Sequence, residues 1–63
     1  MSFLTLTSAD DGKPVYVLAR AILMVETIDA NTTSVMTYAP REQFVRETAV
    51  RVMELIEDAQ GRG

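Results

Sequence analysis

Carboxylates are the groups in this chain that come nearest to a catalytic constellation: Asp10 beside Asp11, Glu26 near Asp29, and Glu54 with Glu57 and Asp58. Paired carboxylates can divide acid and base roles between them, or gather several oxygens around a divalent cation. Here each group has a plainer reading. Asp10 and Asp11 stand directly before Gly12, in a turn segment where Asp side chains bond their own backbone. Glu54 and Asp58 are spaced to share one face of a helix, and that face points to water. No EF-hand spacing is present. The chain has no histidine and no cysteine, which removes the commonest general base, thiolate-zinc sites and disulfides. Gly12-Lys13-Pro14 lacks the preceding glycine and the following Ser or Thr of a phosphate loop. Met24, Met36 and Met53 read as adaptable core or interface filler. No residue is therefore assigned to catalysis, to a cofactor or to a metal. The chain is expected to act by making contacts and not to be an enzyme.

The elements that would position such contacts follow from periodicity. Phe3-Leu4-Thr5-Leu6-Thr7 alternates as a strand does, Ser8 to Gly12 reads as a turn, and Pro14-Val15-Tyr16-Val17 returns as a second strand of a hairpin. Leu18 to Ala21 is a crossover. Ile22 to Ile28 is the strongest strand, although one helix from Val17 to Glu26 is a rival reading. Asp29 to Thr32 is a turn, and Thr33 to Tyr38 a strand that Ala39-Pro40-Arg41 breaks. Glu42 to Val45 is a short last strand, which would make a second hairpin. Connections this short require antiparallel pairing. Thr48 is a good N-cap and Glu47 complements the positive end of a helix dipole. Val52, Met53, Leu55, Ile56 and Ala59 then fall at helical spacing up to Gly61.

The fold class expected is α+β: a small antiparallel sheet of four to five strands in two hairpins, followed by one C-terminal helix packed on one face. The domain spans residues 1–60 with the helix at 49–60, and residues 61–63 fray.

Area is the informative feature. A chain of 63 residues supports a marginal core, and without disulfides or a metal the remaining staple is self-association or a partner. Leu4 and Leu6, with Val15 and Val17, could form the face a single helix covers. Ile22 and Met24 alternate with Leu23 and Val25, so the central strand is apolar on both sides. Phe3, Tyr16 and one of those two sets are then left over. Phe3, Tyr16, Ile22, Leu23, Met24 and Val25 are accordingly the candidate interface, for a homo-oligomer (dimer or larger) or a protein partner.

With the elements placed, the chain resembles the small FlbD-like proteins encoded in flagellar operons, including the related swarming-motility proteins. The resemblance runs over about residues 3 to 56. It rests on Phe3 to Thr7, Gly12-Lys13-Pro14-Val15-Tyr16-Val17, and Ile22 with Val25 and Glu26. The closing Val45-Arg46-Glu47-Thr48, followed by Val52, Leu55 and Ile56, is its most specific part. Leu18-Ala19-Arg20 stands where those proteins have a polar Asn-Pro-Asp-like step, and Ala39-Pro40-Arg41 where they have a Gly-rich turn. The resemblance implies a motility-related setting and brings no catalytic residue with it.

A net charge of −3 disfavours a nucleic-acid partner. Arg41, Arg46 and Arg51 are widely spaced and read as solvated surface arginines. The alternative of a small nucleic-acid-binding regulator would use a sheet face with Phe3, Tyr16 and Arg46. A phage or mobile-element structural component is a third reading. The N-terminus lacks a signal peptide's basic region and long apolar core, and the longest apolar run, Ala21 to Val25, is far too short to span a bilayer. A cytoplasmic location without membrane insertion is the resulting expectation.

Overall fold

The computed structural model describes residues 2–38 and 41–61. The expected α+β architecture is present: five antiparallel strands and one C-terminal helix. In chain order these are β1 (Phe3–Thr7), β2 (Pro14–Leu18), a 3-10 turn (Ala19–Ala21), β3 (Ile22–Asp29), β4 (Thr32–Thr37), β5 (Arg41–Val45) and α1 (Ala49–Gly61). The strands fall into a hairpin, β1-β2, and a three-stranded meander, β3-β4-β5. Of the expected strand break Ala39-Pro40-Arg41, Arg41 is already the first residue of β5, while Ala39 and Pro40 lie outside the described residues, as do Arg62 and Gly63 of the expected tail; Gly61 is the last residue of α1.

The hairpin forms because alternation and turn chemistry agree. Leu4 faces Val17 and Leu6 faces Val15 on one side, while Phe3 faces Leu18 and Thr5 faces Tyr16 on the other. Gly12 takes φ 74°, the left-handed conformation that an L side chain resists. The Asp11 carboxylate accepts the Lys13 N–H at 3.0 Å, and the Ser8 hydroxyl accepts the Asp10 N–H at 3.3 Å. Asp10 and Asp11 are thus turn residues. Ser8 also bridges to Val45, and Arg46 N–H donates to the Thr7 carbonyl at 2.9 Å, so the end of β1 joins β5.

In β3 the pairing with β4 slips by one residue between Ile22 and Met24, which makes Leu23 a β-bulge. The bulge reverses the parity of the strand. Ile22 and Val25 come to the same side and pack against the core, Met24 faces outward opposite Met36, and Leu23 protrudes. Strict alternation had Ile22 sharing a face with Met24 and Leu23 with Val25. The extra residue replaces both sets.

The core lies between the inner faces of the two sheets and the helix: Leu4, Leu6 and Val17 from the hairpin, Val35 and Val45 from the meander, Val52 and Ile56 from α1, with Ala19. The hairpin therefore covers part of the meander's inner face, while α1 packs against β1, β3 and the 3-10 turn. Each fully buried aliphatic side chain contributes about 1.5–3 kcal/mol. Helix α1 starts as its sequence dictates: Thr48 Oγ1 accepts the Arg51 N–H at 3.1 Å and the Thr48 carbonyl accepts the Val52 N–H at 2.9 Å. Val52 and Ile56 are buried and Leu55 and Ala59 half-buried. Met53, grouped with them by spacing, is exposed.

Candidate functional site

The residues of the expected interface do not lie on one face. Phe3 (60% exposed) and Tyr16 (66%) occupy the outer face of the hairpin, with Thr5 and the half-buried Leu18 beside them. Met24 (48%) stands on the outer face of the meander, and Leu23 (56%) projects from the bulge. Ile22 and Val25 are half-buried against the core. Two outer surfaces thus replace the single uncovered face.

The second surface includes Phe44, which the sequence did not single out as interface. Across the outer face of the meander, one row runs Met24, Met36, Glu42 and the next Glu26, Ser34, Phe44. Met24 and Phe44 are exposed and Met36 half-buried, while Ser34 is buried and donates from Oγ to Glu42 Oε2 at 2.6 Å. This is an apolar strip rimmed by carboxylates. Phase alone could have found Phe44, because Val45 points into the core and its neighbour must point out.

Glu47, expected to complement the helix dipole, has a more specific role. Its Oε1 accepts the Thr7 N–H at 2.9 Å and its Oε2 accepts the Thr7 hydroxyl at 2.9 Å. Together with the Arg46–Thr7 backbone bond, this ties the end of β1 to the start of the helix. One half-buried carboxylate thus links the hairpin to the start of the helix.

The remaining sequence candidates are dispersed. Asp29 Oδ1 accepts the Asn31 N–H at 2.8 Å in the β3–β4 turn, whereas Glu26 lies on the meander's outer face. Glu54 is paired with Arg51 at 3.4 Å on the exposed side of α1. Among the described residues no three acidic groups converge as a metal site would need. Arg41, Arg46 and Arg51 sit at the start of β5, after its end and on α1. The Arg46 guanidinium lies against the turn, so close that a Cβ on Gly12 would meet its Nη1 at 3.1 Å. Phe3 is at the opposite end of the hairpin, so Phe3, Tyr16 and Arg46 do not form one platform.

The two sheets part on one side of the core. There a cleft of about 320 Å³ opens between β2 and the meander, with Val15, Val17, Leu18 and Val35 among its apolar lining and Thr37, Arg41, Glu42 and Gln43 among its polar lining. No helix among the described residues is long and apolar enough to cross a membrane. No family model, no curated protein and no solved structure matches the chain.

Proposed function

We propose that this chain is a non-enzymatic cytoplasmic accessory or adaptor protein that acts through protein contacts and self-association, in the motility-related setting its resemblance to the FlbD-like proteins implies. The observation that carries this reading is the placement of large apolar side chains outside a small core. Phe3 and Tyr16 on one sheet, and Met24 and Phe44 on the other, stay exposed in ordered strands that could have carried polar residues there. Leaving each of them about half exposed forgoes about 1 kcal/mol of burial, a large sum over four side chains for a domain this size. Ordered apolar strips of this kind mark surfaces that are covered in use. The functional groups are then contact residues, while Asp11 and Asp29 serve turns and Glu47 tethers the helix.

Sedimentation velocity of the whole chain over a series of micromolar concentrations tests the reading. A sedimentation coefficient that rises toward that of a dimer or larger particle is expected. A concentration-independent monomer overturns the self-association on which the reading depends.

A further inference from the structure

We draw no further inference here: the strongest candidate, the apolar strip of Met24, Met36 and Phe44 on the outer face of the meander, carries none, because Arg41 and Arg46 at the two ends of β5 offset the Glu26 and Glu42 charges that would select a partner, and nothing in the structure shows what covers it.

Discussion

Replacing Glu47 with alanine probes the joint on which the whole arrangement turns. The carboxylate holds both the N–H and the hydroxyl of Thr7, each at 2.9 Å, in a partly buried setting across forty positions of sequence. A hydrogen bond to a charged group contributes about 1.5–3 kcal/mol when buried, and partial solvent access lowers that. Alanine removes both acceptors and leaves the Thr7 N–H short of a partner, so a loss of about 2–3 kcal/mol is expected. Glutamine keeps one oxygen for the N–H, while the Thr7 hydroxyl can rotate to accept from the new amide. Its cost should be about half that of alanine. A chain of this size has roughly 3–9 kcal/mol in total, so the alanine variant is measurably unfolded at modest denaturant. Urea unfolding followed by far-ultraviolet circular dichroism, at one fixed protein concentration because association adds to stability, reads the difference. A cost below about 0.5 kcal/mol for alanine, or glutamine as damaging as alanine, would refute the tether.

Two further substitutions test the local reasoning. Gly12→Ala places a Cβ at φ 74° and 3.1 Å from the Arg46 guanidinium, so it should cost about 1–2 kcal/mol; pairing it with Arg46→Ala should relieve the steric part only. Thr48→Ala removes the Oγ1 acceptor of the Arg51 N–H and should lower stability by about 1 kcal/mol, with Thr48→Asp retaining most of it. Both are read in the same urea titration.

Much of the fold was legible because local signals agreed with one another. Phe3 to Thr7 is bounded as its alternation predicts, Gly12 adopts the positive φ that the Asp-Gly step requires, and Thr48 caps the helix that Val52 and Ile56 anchor. Which apolar residues of β3 stay outside the core was only partly legible, and the reason is an inserted position. Period-two reasoning assigns Ile22 and Val25 to opposite faces, and nothing in the composition of Ile22-Leu23-Met24-Val25 announces a bulge. Once Leu23 is extruded, both turn inward and the outward residue is Met24. The way the hairpin joins the meander and the helix has the same character. It includes the bridge from Ser8 to Val45 and Glu47 reaching Thr7, contacts between residues some forty positions apart that no local pattern encodes. The apolar surplus was legible from composition, but its distribution over two outer faces required the tertiary arrangement.

The most direct test of contact-based function is backbone amide exchange, residue by residue, on the same chain at low and high protein concentration. In an isolated copy the Tyr16 and Leu18 amides point from an open strand edge into solvent. Slowing of amides on one of the two outer sheet faces or strand edges as concentration rises, while the Val15 and Val17 amides stay protected throughout, is the predicted result. Exchange rates that are independent of concentration along the entire chain would contradict the account.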